Sequence, residues 1–443
     1  MQLPADFLRT LQDAVGKDRE ALLSLYDAPP FRGFSVNRLK TTPEKLLPLL
    51  PFPAERSSFS EDHYTIPSNV EGIGRLALHA AGAFYVQEPS ASSAVTLLSP
   101  SPGEKILDLC AAPGGKSAQI ASRLGRTGLI WSNEIVRSRA QILLSNFERM
   151  GIAHGVVSCA HPDVLCASLA GWFDRVLVDA PCSGEGMFRK EPAAVEEWSL
   201  EHTKTCARRQ LAILKTAVRA LKKGGRLVYS TCTFSCEENE GVVARFLEEC
   251  PDMEVLPPPE IGARPAHCPG GLRITPLEGG EGHFAIAFVK TGGLEEPSVP
   301  RREEKKISRD VRALSEAFLR DVFFQPPDLP LWAEEEKLFL LPDGLPDGKK
   351  RGIIRAGVPI GTIVKGRIEP AHGLFTAFPA ADFRRCADFH QDDPLLSRFF
   401  HGEEIPWDGE AGYTAVAVEG MTVGFGKSGN GTLKNKYPKG LRW

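Results

Sequence analysis

The sequence contains no long, uninterrupted apolar run. Its most apolar early stretch, 46–52, is short and interrupted by prolines, so neither a membrane-spanning helix nor a membrane partner is expected. Residues 1–11 already include Asp6 and Arg9, so a secretory signal peptide is not expected either. The sequence therefore predicts a cytoplasmic protein.

Cysteine and metal-ligand patterns are also sparse. Ten cysteines among 443 residues do not reach the density of a disulfide-stabilised secreted domain, so reduced thiols are expected. Cys232 and Cys236 lie close in sequence, but the second ligand pair that a structural zinc site requires is missing. No metal is predicted.

Charge of one sign does not dominate the chain. The formal net charge is −3, with 25% charged and 42% apolar residues, which excludes a uniformly basic nucleic-acid coat. Acidic residues are nevertheless absent after Glu419, and an early segment, 31–40, is also basic. The cations of these two segments are Lys427, Lys434, Lys436, Lys439 and Arg442, and Arg32, Arg38 and Lys40. This distribution favours a polyanion partner, with a merely solvated tail as the alternative.

From about residue 103 the pattern alternates between strand and helix. Strands are predicted at 105–109, 129–132, 155–158, 175–178 and 226–229, and a closing hairpin at 273–275 and 284–289. This alternation is typical of an α/β, doubly wound, Rossmann-like parallel sheet, which binds ligands beyond the carboxyl ends of its strands.

Four segments are predicted along the chain. Residues 1–100 form a small N-terminal α+β domain, 101–292 the α/β domain, 293–310 a charged linker and 311–443 a β-rich C-terminal region. Pro, Glu, Lys and Arg dominate the linker, as in other solvated connections. A small β-rich module suits RNA binding, and a packing domain is the alternative.

A loop of small residues follows the first predicted strand. After Asp108 and Leu109 come Cys110, Ala111, Ala112, Pro113, Gly114, Gly115 and Lys116. Small side chains at a helix start let backbone N–H groups approach an anionic ligand. The loop lacks the first glycine of a Walker sequence and the full dinucleotide fingerprint. It suits S-adenosylmethionine, which has a carboxylate and no phosphate; a tight turn without a ligand is the alternative.

Two further strand ends carry polar residues suited to the same cofactor. Glu134 follows the second strand and can accept hydrogen bonds from ribose hydroxyls, with a solvated helix-capping carboxylate as the alternative. His161 and Asp163 follow the third strand. Either can meet the adenine edge, and a loop without any contact is equally compatible.

Asp179 and two cysteines follow the fourth and fifth strands. Asp179 directly follows a buried strand and can read the Watson–Crick edge of a pyrimidine. Cys182 and Cys232 are predicted to face the same cleft, although a buried structural thiol is the alternative for each. Addition of a thiolate to carbon 6 of cytosine activates carbon 5 toward a methyl donor. Position in the chain does not decide which thiol attacks. Further along, Arg189 and Lys190 can hold a phosphate.

At these residues the sequence resembles the Nol/Nop/Sun family of RNA cytosine-5 methyltransferases. The matching segments are 86–90, 108–116, 133–134, 179–184, 230–233 and 281–284. The resemblance implies a class I methyltransferase core with S-adenosyl-L-methionine as cofactor. It also implies that Cys232 is the nucleophile, that Cys182 helps release the product, and that Cys110–Lys116, Glu134 and Asp179 lie at cofactor and active-site positions. His161 stands where the family often has an acidic residue, so Asp163 is the substitute expected to contact the adenine edge.

Two other segments, 184–190 and 433–442, are similar to a bacterial branch of the family. That branch modifies small-subunit ribosomal RNA and carries a PUA-like C-terminal RNA-binding region. The resemblance therefore implies a monomeric enzyme that methylates 16S ribosomal RNA, with RNA-binding regions at both ends of the chain. A tRNA cytosine methyltransferase and a non-catalytic ribosome assembly factor are the alternatives. Methylation of a protein amide is disfavoured, because Asp179-Ala-Pro-Cys182 stands where such enzymes have an Asn-Pro-Pro type of loop.

Overall fold

The computed structural model describes residues 3–293, 299, 302, 307–347 and 351–443. Most of the predicted charged linker, 293–310, therefore lies outside the described residues. Within the described ranges, no helix is both long enough and apolar enough to cross a bilayer.

The N-terminal segment forms a four-stranded antiparallel sheet with short helices. Its elements are α1 (Ala5–Val15), α2 (Arg19–Leu23), β1 (Arg32–Val36), α3 (Pro43–Leu46), β2 (Glu55–Arg56), β3 (His63–Ile66), α4 (Ala77–Ala80) and β4 (Phe84–Val86), with strand order β2-β3-β1-β4. The helical stretch at the start of this segment is divided into α1 and α2. Gly16 adopts a positive φ of 57°, which glycine tolerates without strain, and its N–H caps α1.

The middle segment is the predicted doubly wound α/β core, and the fold class is confirmed. Its first half consists of α5 (Ser93–Leu98), β5 (Lys105–Asp108), α6 (Gly115–Leu124), β6 (Leu129–Asn133), α7 (Arg137–Met150), β7 (Gly155–Ser158) and α8 (Pro162–Ser168). Its second half consists of β8 (Phe173–Asp179), α9 (Pro192–Glu197), α10 (Leu200–Ala220), β9 (Leu221–Thr231), α11 (Glu240–Glu249), β10 (Met253–Val255), β11 (Arg264–Pro265), β12 (Leu272–Ile274) and β13 (His283–Lys290).

The central strands run parallel and are buried on both faces. The sheet order is β11-β12-β13-β9-β8-β5-β6-β7-β16, where β16 is Ile353–Ala356. Strands β5 to β9 run parallel to one another, and β13 is antiparallel to β9. The predicted closing hairpin is confirmed by the antiparallel pairing of β12 and β13. Because helices cover both faces, side chains such as Leu107, Trp131 and Val176 are fully buried, each stabilising the fold by about 1.5–3 kcal/mol.

The C-terminal segment forms two further sheets, with strand orders β14-β15-β17-β18 and β19-β21-β22-β23-β20. Its elements are α12 (Arg309–Val322), β14 (Leu331–Glu334), β15 (Lys337–Leu340), β16 (Ile353–Ala356), β17 (Val358–Val364), β18 (Arg367–Pro370), α13 (His372–Thr376), β19 (Cys386–Phe389), α14 (Pro394–His401), β20 (Ile405–Pro406), β21 (Gly412–Val418), β22 (Met421–Gly429) and β23 (Thr432–Asn435). One strand leaves this region: β16 pairs antiparallel with β7 and covers the outer edge of the core sheet, where unpaired backbone groups would otherwise be exposed.

Lys40 joins the N-terminal and C-terminal segments. Its ammonium donates hydrogen bonds to the carbonyl oxygen of Thr376 and to both oxygens of Thr422. With three protein acceptors, Lys40 is a contact between these two segments rather than a cation left free for a polyanion. Arg38 also has a protein partner, since its Nε lies 2.5 Å from Asp62 Oδ1.

Candidate active site

The predicted cofactor loop lies between β5 and α6, at the carboxyl edge of the sheet. Gly114 has a φ of 114°, a conformation that favours glycine. Ser117 at the start of α6 donates a hydrogen bond of 2.6 Å to Asp108 Oδ2, while the buried Asp108 Oδ1 has no partner within the part of the chain that the structure describes. Burial raises the pKa of Asp108 to about 7. The loop thus combines a helix N-terminus with an incompletely satisfied buried carboxyl group.

Glu134 lies beside this loop, beyond the end of β6. Its Oε1 accepts a hydrogen bond from Val136 N, and its Oε2 lies 3.3 Å from Arg139 Nη1. Arg139 also donates to the carbonyl oxygen of Ala112 in the cofactor loop, which couples two predicted cofactor segments. The next residue, Ile135, is 54% exposed. Ile135 was not among the predicted site residues, although its position directly after Glu134 could have marked it as a candidate for the cofactor site.

His161 and Asp163 occupy the start of α8. His161 Nδ1 accepts a hydrogen bond from Asp163 N and lies 3.5 Å from Asp163 Oδ2. Asp163 Oδ1 accepts a bond of 2.6 Å from Thr216 on α10. Both side chains are 59% exposed, so the region that follows the end of β7 is open to solvent.

Asp179 stands at the end of β8 in a dense set of polar contacts. Its Oδ2 lies 2.7 Å from Lys116 Nζ, and its Oδ1 accepts a bond of 2.7 Å from Ser230 on β9. Burial favours the protonated acid, but Lys116 and these hydrogen bonds outweigh it and lower the pKa of Asp179. Asp179 is therefore an ionised acceptor at neutral pH. Lys116 brings the cofactor loop into direct contact with it.

The two cysteines of the paired motifs touch each other. β8 and β9 are parallel with Asp179 opposite Ser230, so the residues that follow each strand emerge side by side. Cys182 Sγ lies 3.2 Å from Cys232 Sγ, and both are free thiols. The contact with Cys232 and burial together raise the pKa of Cys182 well above its ordinary value. Cys182 is thus held as a neutral thiol beside Cys232.

Further cross-links tie the loops that carry these thiols. Gly186 N donates to the carbonyl oxygen of Cys232, and a side chain on Gly186 would lie 3.0 Å from that oxygen. The hydroxyls of Ser183 and Thr233 lie 2.9 Å apart. Because these contacts join residues far apart in the sequence, the separation of the thiols is fixed by tertiary structure.

His283 lies in the matching segment 281–284, but no role was predicted for it. It begins β13, is 2% exposed, and its Nε2 lies 4.0 Å from Asp179 Oδ1. Neither ring nitrogen has a hydrogen-bond partner among the described residues, and burial lowers its pKa to about 4. The site therefore contains a neutral imidazole with unused hydrogen-bonding capacity next to Asp179.

Arg189 differs from the prediction that it holds a phosphate. Its side chain is buried against Glu281, with Nη1 3.2 Å from Oε1, and Nη2 donates to the carbonyl oxygens of Ala28 and Pro29. These bonds fasten the loop between α2 and β1 to the core, so phosphate contact by Arg189 is excluded in this conformation. Lys190 stays a prediction.

A group of metal-ligand types occurs nearby within the described residues. Donor atoms of Cys236, Glu240 and His267 lie within 4.8 Å of one another. Glu240 is already paired with the buried Arg273, whose Nη2 lies 2.6 Å from Oε1. A guanidinium supplies the counter-charge there, which disfavours a second cation.

The fold and this edge of the sheet define the class of the protein, a Rossmann-like methyltransferase. Four family models match consecutive parts of the chain. The model for the 16S rRNA methyltransferase RsmB/F matches 95–288, and that for the N-terminal domain of 16S rRNA methyltransferase RsmF matches 3–89. The first C-terminal domain of RsmF matches 317–378, and the RsmF PUA domain matches 386–443.

Curated relatives extend over nearly the whole chain. Ribosomal RNA small subunit methyltransferase F of Enterobacter sp. (strain 638) is 31% identical over 99% of this chain and 95% of its own length. The protein of the same name from Vibrio vulnificus (strain YJ016) is 30% identical over 99% and 97%. The chain belongs to the ribosomal RNA small subunit methyltransferase F family, and the resemblance found in the sequence is confirmed at that level.

Solved structures agree on the fold. A methyltransferase homolog protein from Pyrococcus horikoshii is 26% identical, with a TM-score of 0.57 over 64% of this chain and 93% of its own. NSun6 from Pyrococcus horikoshii, solved with SFG, is 21% identical, with a TM-score of 0.60 over 66% of this chain and 99% of its own. Together with the family matches, this makes the chain an RNA methyltransferase of the S-adenosylmethionine-dependent type.

Proposed function

We propose that the protein transfers a methyl group from S-adenosyl-L-methionine to carbon 5 of a cytidine in 16S ribosomal RNA, in the cytoplasm and as a monomer. The observation that carries the proposal is the contact of two free thiols, 3.2 Å apart, beside the ionised Asp179. Attack on a pyrimidine ring requires only one nucleophile. A second thiol at contact distance therefore needs another role, and release of the product supplies it.

The residues at the first three strand ends fit the cofactor. Cys110–Lys116 offers backbone donors at a helix start for its carboxylate, and Glu134 offers acceptors for the ribose hydroxyls. The exposed Ile135 and Asp163 are suited to the adenine. When bound, S-adenosylmethionine supplies an electrophilic methyl group on sulfonium sulfur.

The remaining residues act on the base. Asp179, held by Lys116 and Ser230, accepts hydrogen bonds from the Watson–Crick edge and orients the cytosine. Cys232 attacks as thiolate at carbon 6, forming a carbon–sulfur bond and moving an electron pair to carbon 5. Carbon 5 then bonds to the methyl group, and the electron pair of the broken sulfur–methyl bond stays on the sulfur of the donor, which becomes a neutral thioether. A base supplied by solvent removes the proton from carbon 5, the electrons of that carbon–hydrogen bond re-form the double bond to carbon 6, and the carbon–sulfur pair returns to Cys232 as thiolate. Cys182, next to Cys232 Sγ, assists this last step.

The thiol assignment is tested by trapping the adduct. Cys182→Ala is expected to form a covalent RNA–protein adduct that persists on a denaturing gel, because attack occurs and release fails. Cys232→Ala is expected to form none and to lose at least about 10⁴-fold in methylation rate. Adducts in the Cys232 variant alone would reverse the two roles.

Substrate and position are tested with labelled cofactor on 30S subunits, naked 16S RNA and tRNA, followed by bisulfite sequencing. Label at carbon 5 of a cytidine in 16S RNA is expected. Label only in tRNA would contradict the substrate. Cofactor binding without turnover on any RNA would instead favour a non-catalytic assembly factor.

A further inference from the structure

The backbone on both sides of Cys182 is held by two buried side chains. Gln210 Nε2 on α10 donates to the carbonyl oxygen of Pro181 at 3.0 Å, and Ser183 N donates to Glu238 Oε2 at 3.0 Å. Gln210 Nε2 also donates to the same Oε2 at 2.8 Å. Cys182 therefore lies between two backbone groups whose partners are bonded to each other.

Glu238 belongs to the other thiol's loop, between Cys232 and α11. The residue is fully buried, and its own carbonyl oxygen accepts a bond of 2.6 Å from Tyr229 Oη on β9. Its main chain is thus fixed to the strand that carries Cys232, while its carboxyl group is fixed to the loop that carries Cys182. Among the described residues, Glu238 Oε1 has no hydrogen-bond partner.

We propose that Glu238, together with Gln210, is a positioning residue that holds Cys182 against Cys232 for the product-release step. The inference rests on the proposed function, since it assigns to Glu238 the geometry of that site. The carboxyl group does not need to touch the base. It acts through Ser183 N, one residue from the thiol.

The backbones that carry the two thiols are supported differently, so the loss of one hydrogen bond is expected to displace them unequally. Cys232 directly follows β9, whose ladder fixes its backbone up to Thr231. Cys182 follows a proline turn, and its backbone depends on bonds from other elements. Removing the Glu238 carboxylate leaves Ser183 N without its acceptor and frees the Cys182 loop to move. A displacement of about 1 Å at a reacting group can cost about 100-fold in rate, so release is expected to fail before attack does.

Burial raises the pKa of Glu238 to about 7, which agrees with a carboxyl group used for its hydrogen-bonding shape as much as for its charge. A glutamine at this position keeps one carbonyl oxygen, and Oε2 alone accepts both bonds in the native site. The conservative variant Glu238→Gln is therefore expected to retain the position of Cys182.

The test compares adduct accumulation in full-length variants supplied with 16S RNA and cofactor. Glu238→Ala is expected to behave like Cys182→Ala and to accumulate at least about ten times the wild-type amount of covalent adduct, while Glu238→Gln releases product normally. Glu238→Asp, which shortens the side chain by one methylene and keeps the charge, is expected to show an intermediate amount.

The matched control is Glu240→Ala. Glu240 is a partly buried carboxylate two residues away that binds Arg273 and His267 N, not the Cys182 loop, so no adduct is expected. Equal accumulation in Glu240→Ala would show a general loop effect and overturn the inference. Product release at the wild-type rate in Glu238→Asp, and in Glu238→Ala where it folds, would also overturn it. Absence of adduct in Cys182→Ala itself would count against the proposed function instead.

Discussion

The two halves of the carboxyl edge of the core sheet are built differently. The cofactor half, at the ends of β5, β6 and β7, holds its groups with a helix start, local backbone bonds and partly exposed side chains such as Asp163. The base half, at the ends of β8 and β9 and the start of β13, holds Asp179, Cys182 and Cys232 with buried side chains from distant parts of the chain. Substitutions in the half built from local motifs are expected to have independent effects. Substitutions in the half built from a shared hydrogen-bond network are expected to have coupled effects.

The largest effect is expected where Lys116 of the cofactor half meets Asp179 of the base half. Asp179→Asn and Lys116→Met are each expected to reduce kcat by about 10²–10³-fold, because the oriented, ionised acceptor for the base is lost. The double variant is expected to be little worse than either single one, since the two residues form one ion pair. Single-turnover methylation of 16S RNA measures this. Multiplicative losses would show that the two residues have independent roles and would contradict their action as one ion pair.

A smaller effect is expected within the cofactor half alone. Glu134→Gln weakens the acceptor for the ribose and the contact with Arg139, so the KM for the cofactor is expected to rise by about tenfold with kcat nearly unchanged. The adduct pattern should be that of the wild type. Glu237→Gln, which removes an exposed pair with Arg245, serves as the control. A fall in kcat without a change in KM would mean that the halves are not separable at Glu134.

The smallest effect on catalysis is expected away from both halves, at the C-terminal end of α7, where Glu148 binds two residues of the C-terminal region. Its carboxylate pairs with Arg355 on β16 and lies 2.8 Å from His372 Nδ1. Burial opposes the charge, but these partners lower the pKa of Glu148 to about 2. A depressed pKa stabilises the fold above the unfolded-state value, near 4.3, and this contribution is lost as the pH falls toward 2.

Glu148→Gln is therefore expected to lower the free energy of unfolding by roughly 2 kcal/mol at pH 7 and by progressively less in acid. Urea titrations between pH 3 and pH 7 measure the difference, with the exposed Glu316→Gln as control. A difference that does not change with pH would exclude the ion-pair explanation.

Sequence reasoning recovered the parts of the molecule that depend on local patterns. The strand at Gly155–Ser158 has the predicted bounds, because a short apolar run between turn signals is interpretable without its partners. The strand at Ile353–Ala356 was not predicted as part of the core sheet. Its pairing with β7 uses backbone groups, which every residue offers equally, so no side-chain pattern marks it.

The candidate site divides in the same way. By itself, the sequence determined which chemical groups stand at the strand ends: the small-residue loop, the acidic residues and the two cysteines. Their order along a parallel sheet is enough to bring them to one edge. Three contacts are visible only in the folded structure. The two thiols touch, Lys116 is the cation that pairs with Asp179, and Glu238 and Gln210 form hydrogen bonds with the backbone around Cys182. Those contacts depend on ångström-scale packing between segments far apart in the chain, which residue spacing does not encode.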